Sequence, residues 1–136
     1  MSTTSYHHPF RVALHDIDAA GVMFFGHLFR HAHDAYEGFM AGLGFPLDAV
    51  IGTHRWRLPL VHAEADYLMP IRHGEALRVL VTVAEIGESA FTMSYRFEDE
   101  RGQARATART VHVHLADSGA GGAPLPLPLR DALRGE

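Results

Sequence analysis

Two aspartates, Asp16 and Asp18, stand just ahead of Gly21 and of an aromatic pair, Phe24 and Phe25. A carboxylate in this position is chemically useful if a helix starts near Phe24 or Phe25. The first turn of a helix leaves its backbone N–H groups without partners and concentrates partial positive charge there. Such aimed donors polarise an acyl carbonyl and stabilise its oxyanion, an effect worth roughly 10²–10³ in rate per donor. The carboxylate would then attack the carbonyl or activate a water molecule. Gly21 allows the backbone to approach a ligand closely. Asp16 and Asp18 also have an architectural use, because Asp commonly serves in turns and helix caps.

Other residues offer weaker chemistry. His27 and His31 are spaced i,i+4 and could grip one ion from a helix face. The Glu of a metalloprotease helix is missing, however, and the sequence offers no evident third ligand. Both fall on the polar side of the helix and read as solvated. His112 and His114 share a strand face and read the same way, so no metal site is expected. His33 sits at the margin of the apolar stripe, beside Phe29 and Met40. It could meet a ligand hydroxyl there, or hydrogen-bond within the core. Arg55, Arg57, Arg72, Arg105 and Arg109 could grip phosphates with their forked donors.

The elements that must position these groups are legible from periodicity. Tyr6 to Leu14 reads as a first strand. From Phe25 to Leu43 the apolar residues Phe25, Leu28, Phe29, Ala32, Tyr36, Phe39, Met40 and Leu43 keep helical spacing over about five turns. Gly42, Gly44 and Pro46 end the helix. Strands follow at Trp56 to Met69, Ala76 to Ile86, Ser89 to Glu98 and Gln103 to Ala116, with period-two alternation clearest at Phe91, Met93, Tyr95 and Phe97. The tail from about Ser118 carries Pro124, Pro126 and Pro128 and reads as irregular. One long helix with a wide apolar stripe and no second long helix must be covered by the sheet. The expected architecture is α+β: a curved antiparallel five-stranded sheet wrapped around one long central helix, all in a single domain over 1–136.

Composition agrees with an ordinary globular domain: 47% hydrophobic and 21% charged residues over 136 positions. A net charge of -4 gives no basic field for nucleic acid or an anionic membrane. All 12 basic residues are arginine, and cysteine is absent, which excludes disulfides, a thiol nucleophile and thiolate metal ligands. No signal peptide is read at the N-terminus, and no apolar run is long enough to span a bilayer. A cytoplasmic location is expected.

The stretch Asp16-Ile17-Asp18-Ala19-Ala20-Gly21-Val22-Met23-Phe24-Phe25 resembles the D-x-D-x-x-G-V-V-Y-F signature of hotdog-fold thioesterases of the 4-hydroxybenzoyl-CoA type. The segments His33 to Glu37 and Leu58 to Tyr67, then Pro70 and Gly74, are similar to the branch of that family acting on 1,4-dihydroxy-2-naphthoyl-CoA in phylloquinone and menaquinone synthesis. The resemblance implies an acyl-CoA hydrolase with Asp18 as the catalytic carboxylate and the Phe25 backbone N–H on the thioester carbonyl. It implies substrate contacts at Gly21, Val22, Phe24, Gly26, His33 and His62. It also implies no cofactor beyond the coenzyme A of the substrate, and a homodimer or a tetramer of paired dimers with the site at the dimer interface. In hydroxybenzoyl members a carboxylate at the position of His33 contacts the ring hydroxyl, so a histidine implies a different hydroxylation pattern, or none. Ile17 for Thr, Phe24 for Tyr, and Gly26-His27 depart from the signature; they bear on the acyl group, not on the catalytic one. Three alternatives stay open on sequence: a broader thioesterase taking 4-hydroxybenzoyl or short aliphatic thioesters, a hotdog dehydratase, and an acyl-CoA binder without turnover. The dehydratase reading lacks its H-F-P-G-type motif at Gly26-His27-Leu28-Phe29.

Overall fold

Alternation in the fourth strand decides the architecture. In the computed structural model of the chain, which describes residues 5–53, 55–116 and 121–135, Phe91, Met93, Tyr95 and Phe97 all point inward and none is more than 1% exposed. The strands are β1 (Ser5–Arg11), β2 (Leu60–Tyr67), β3 (Ala76–Ile86), β4 (Ala90–Asp99) and β5 (Ala104–Val113). They form one antiparallel sheet in the order β1-β3-β4-β5-β2. Leu77, Val79 and Val81 of β3 continue the inward face of β4, and Ala106 and Ala108 of β5 complete it.

The long helix α1 (Phe25–Gly42) lies on that face. Its buried residues Leu28, Ala32, Ala35, Tyr36, Phe39 and Met40 recur at three- and four-residue intervals, so one stripe meets the sheet. Gly38 carries no side chain where the Tyr6 ring of β1 presses on the helix; a Cβ there would collide with it. The helix stops in a Schellman arrangement: Gly44 at φ 95° donates to the Ala41 carbonyl and Phe45 to that of Met40. The sheet therefore does wrap one central helix, as the periodicity requires.

Three features differ from the sequence reading. The strand expected from Trp56 begins only at Leu60; Trp56 packs beside Phe45 at 4.9 Å between ring centres, under the Arg55 guanidinium. A short helix, α2 (Leu47–Gly52), fills part of the loop expected after α1. The tail is not irregular throughout. Residues 117–120 lie outside the described part, but Leu127–Leu133 forms α3, which packs on β3. Proline favours this helix instead of breaking it: Pro126 is the N-cap and Pro128 sits in the first turn, where a missing N–H costs nothing. Leu125, Leu129 and Leu133 are buried beneath it, so the tail closes the core.

Replacing Leu129 by Ala should therefore cost about 2–4 kcal/mol, the range for deleting a fully buried leucine. Urea unfolding followed by circular dichroism measures it. A loss below about 0.5 kcal/mol, typical of surface positions, would mean that α3 is not part of the core.

Candidate active site

The loop ahead of α1 is built on a buried carboxylate. Asp16, with no exposure, ends a 3-10 turn, Leu14–Asp16. Its Oδ2 accepts from the Ala13 amide at 2.9 Å and from His31 Nε2 at 3.1 Å, and its Oδ1 from Arg30 at 2.6 Å. Burial pushes the Asp16 pKa up, but the Ala13, His31 and Arg30 donors outweigh it and leave the carboxyl below its ordinary value. The Asp16 carbonyl also receives the Phe24 amide at 2.9 Å. One residue thus ties the loop to both the start and the second turn of the helix. His31 is correspondingly buried, 5% exposed, and stacks on Phe10 at 3.8 Å. This corrects the solvated reading: β1 and the 3-10 turn cover that side of α1. Its Nε2 faces Asp16, and its pKa is lowered, chiefly by burial.

Asp18 opens a tight turn. The Gly21 amide donates to the Asp18 carbonyl at 3.0 Å, Asp18 donates to the Val22 carbonyl at 2.9 Å, and Gly21 adopts φ 82°, a conformation that favours glycine. The carboxylate uses Oδ1 to accept from Ala20 at 2.8 Å, so the architectural role of this aspartate is real. Its second oxygen has no partner among the described residues. At the helix start Phe24 is the N-cap without a side-chain cap, and no acidic residue occupies the first turn. The Phe25 and Gly26 amides donate to no acceptor among the described residues. Free donors and a free carboxylate oxygen are what acyl transfer needs. Tyr67, at the end of β2, reaches over this loop, donating its hydroxyl to the Met23 carbonyl. Burial and, second, the Asp18 charge push the Tyr67 pKa up to about 12.

A groove of about 470 Å³ runs between α1 and the β2–β5 edge of the sheet, lined by Gly26, Phe29, Arg30, His33, Leu60, Ala63 and Thr110. Of the expected substrate contacts it contains Gly26 and His33. Gly21, Val22, Phe24 and Phe25 belong to the adjoining turn and helix start. The Phe24 ring lies over Gly26, where any Cβ would strike it, and Phe24 and Phe25 form an exposed aromatic pair. His62 is not brought to the groove. A bulge between Leu60 and His62 pairs His62 with Val111, on the sheet face away from Thr110, where it is exposed and bonds Glu64 at 3.0 Å.

His112 also needs correction. Residues 106, 108, 110 and 112 share the inward face of β5, so His112 is 1% exposed. It stacks between Tyr36 at 4.3 Å and Phe91 at 5.2 Å, with Nε2 on Thr110 Oγ1 at 2.9 Å. Burial, with His33 as a like-charged neighbour, pushes its pKa down to about 4. His114 is half-buried, with Nδ1 on the Pro124 carbonyl. Among the arginines, Arg105 is 8% exposed and committed to Glu75 and Asp99, so it is removed as a phosphate ligand. Sequence reasoning missed Tyr67 and Thr110. Thr110 could have been found, because it shares the alternation of Ala106 and Ala108.

An antiparallel sheet curled round one helix, with a carboxylate turn at the helix start, is the hotdog fold of acyl-thioester enzymes. Residues 12–133 match the model of the thioesterase-like superfamily, and the chain belongs to it. It is similar to the 1,4-dihydroxy-2-naphthoyl-CoA hydrolase of Synechococcus elongatus, 38% identical over 98 residues, 71% of each chain. The hydrolase of that name from Synechocystis is 34% identical over 113 residues, 82% of this chain and 80% of that one. The crystal structure of a 1,4-dihydroxy-2-naphthoyl-CoA thioesterase from Synechocystis superposes with a TM-score of 0.86 at 32% identity, covering 95% of each chain. A 4-hydroxybenzoyl-CoA thioesterase bound to 4-hydroxybenzoyl-CoA shares the fold, with a TM-score of 0.84 at 16% identity over 96% of this chain and 99% of that one.

The buried histidine sets a pH dependence whose sign is fixed. The folded state holds His112 neutral down to about pH 4, whereas an unfolded histidine titrates near 6.5. Between these values the unfolded chain binds more protons, so stability is complete above about pH 6.5 and falls as pH drops towards 4. The loss amounts to something on the order of 3 kcal/mol. His112→Phe keeps the aromatic stack without the titration. Urea unfolding from pH 7 to 4 should give a visibly shallower slope in that variant, and an unchanged slope would refute the assignment.

Proposed function

We propose that this chain hydrolyses an aromatic acyl-CoA thioester to the free acid and coenzyme A, with 1,4-dihydroxy-2-naphthoyl-CoA as the substrate, in phylloquinone or menaquinone synthesis in the cytoplasm. The observation that carries the reading is the free Asp18 oxygen in the turn that leads directly into the unpartnered Phe25 and Gly26 amides, next to a groove lined by Phe29, His33 and Thr110. The names of the relatives support the acyl group. In this reading the thioester carbonyl points at the Phe25 amide and the ring occupies the groove. Asp18 attacks the carbonyl carbon or takes a proton from the attacking water. The oxyanion is held by helix-start donors and the thiolate leaves, to be protonated as coenzyme A. No cofactor takes part. Of the five arginine candidates, Arg55, Arg57, Arg72 and Arg109 are exposed and remain available to the phosphates.

The same reading makes the active form a homodimer, alone or paired into a tetramer. β2 is an edge strand with almost every residue exposed, Val61 among them at 57%, and Phe25 at the start of α1 is 59% exposed. Unpaired edges and apolar patches of this kind call for a covering chain, and a second copy would close the groove. His62, on the outer sheet face, would enter the site only through such an assembly. A monomer at micromolar concentration in light scattering would count against the interfacial site.

Asp18→Asn keeps the shape of the turn and removes the negative nucleophile. It should lower kcat about 10³-fold or more while KM changes little, the signature of a group needed in the transition state. Thiol release can be followed with a disulfide chromogen, because the protein has no cysteine to react with it. A near-normal kcat in this variant would take Asp18 out of the mechanism.

A further inference from the structure

Beneath the groove lies a buried polar cluster that the hydrolytic step does not use. Thr110 Oγ1 bonds the Tyr95 hydroxyl at 2.7 Å and His112 Nε2 at 2.9 Å. Tyr36, stacked on His112, keeps its hydroxyl buried without a partner among the described residues. Tyr36, Tyr95 and His112 are each 2% exposed or less, and Thr110 is 4% exposed. Placing so many hydrogen-bonding groups in an apolar core is costly, above all where one is left unsatisfied. A core built only to be stable would carry Phe, Val or Leu at these places.

The position of Thr110 gives the cluster a use. A threonine hydroxyl has one donor and two acceptor positions, three in all. Two are taken by Tyr95 and His112, and Thr110 is the member of the cluster that lines the groove, opposite His33 and beside Ala63. The third position is therefore left for whatever occupies the groove. Two fixed neighbours restrict the rotation of the hydroxyl, so this position has a set direction, as a reader of one substrate atom requires. We infer that Thr110, held by Tyr95 and His112 as positioning residues, reads a hydroxyl on the acyl ring, so that the groove selects hydroxylated aromatic acyl groups over their unsubstituted counterparts. The inference rests on the aryl-CoA reading above and adds the source of its selectivity. A site built to hydrogen-bond a substrate hydroxyl discriminates strongly against the analogue lacking it, because its own buried polar group is then stranded.

The test is the ratio of kcat/KM for 1,4-dihydroxy-2-naphthoyl-CoA to that for 2-naphthoyl-CoA, measured in the wild type, Thr110→Val, Thr110→Ser and Tyr95→Phe. Intrinsic reactivity differs between the two thioesters but cancels when ratios are compared between variants. The wild type should favour the hydroxylated substrate by about 100-fold or more. Thr110→Val should cut that ratio at least tenfold, Tyr95→Phe should cut it less, and Thr110→Ser should retain most of it. Should Thr110→Val fail to fold by circular dichroism, Tyr95→Phe against Thr110→Ser reads the same ratio. A Thr110→Val loss equal for both substrates, which leaves the ratio unchanged, overturns the hydroxyl reader and leaves the thioesterase standing. No thiol release from either naphthoyl thioester in the wild type overturns the aryl-CoA reading and this inference with it.

Discussion

A carboxylate fully withdrawn from water holds this molecule in its working shape. Asp16 carries charge into a place where an isolated ion would be prohibitively costly. The Ala13 amide, Arg30 and His31 make it tolerable by supplying three aimed donors. The consequence is geometric. Arg30 and His31 are in the second turn of α1, Ala13 is in the chain arriving from β1, and the Asp16 carbonyl receives the Phe24 amide. The loop therefore cannot drift along the helix axis without uncovering the buried charge. The turn carrying Asp18 is fixed relative to the free amides of Phe25 and Gly26 by a residue two positions away that itself faces the interior. Preorganisation of that kind, and not the mere presence of an aspartate, separates an acyl-transfer site from an ordinary turn.

Much of this arrangement was legible in the sequence. The 3.6-residue spacing from Phe25 to Leu43 located α1 within one residue of its observed end, and the period of two in β3 and β4 identified which residues form the core. Both readings succeed because hydrophobic burial acts on patterns, and the patterns here are unbroken. The turn at Asp18 was legible for the same local reason, since Asp and Gly stand where the turn chemistry requires them. The readings that failed concern polar residues whose burial is set by distant partners. His31 and His112 were assigned to water on hydropathy, yet each sits where another element covers it, β1 over the first and α1 over the second. Arg105 looked available until the fold brought Glu75 to it across 30 positions of chain. β2 is a different case: His62 shares its outward face with Glu64 and Asp66, opposite to Ala63 and Ala65. Only the family resemblance gives His62 a substrate role, and in the single chain its pairing with Val111 keeps it on the outward face.

The groove follows from an asymmetry in the sheet. On β3 and β4 the inward positions are large and fully buried: Val79, Val81, Phe91, Met93, Tyr95 and Phe97. Beside the groove the inward positions of β5 and β2 are small: Ala108 and Thr110, facing Ala65 and Ala63. Across the space they leave, Gly26, Phe29, Arg30 and His33 of α1 face Leu60, Ala63 and Thr110. The volume left between is the groove, and it ends at the turn of the helix that exposes its amides. An apolar cavity of that size would ordinarily be a defect in a core this tight. Here it borders the open edge of the sheet, so it exchanges freely with solvent and can be filled from outside. The groove, the free donors and the anchored carboxylate all lie at the N-terminal end of α1.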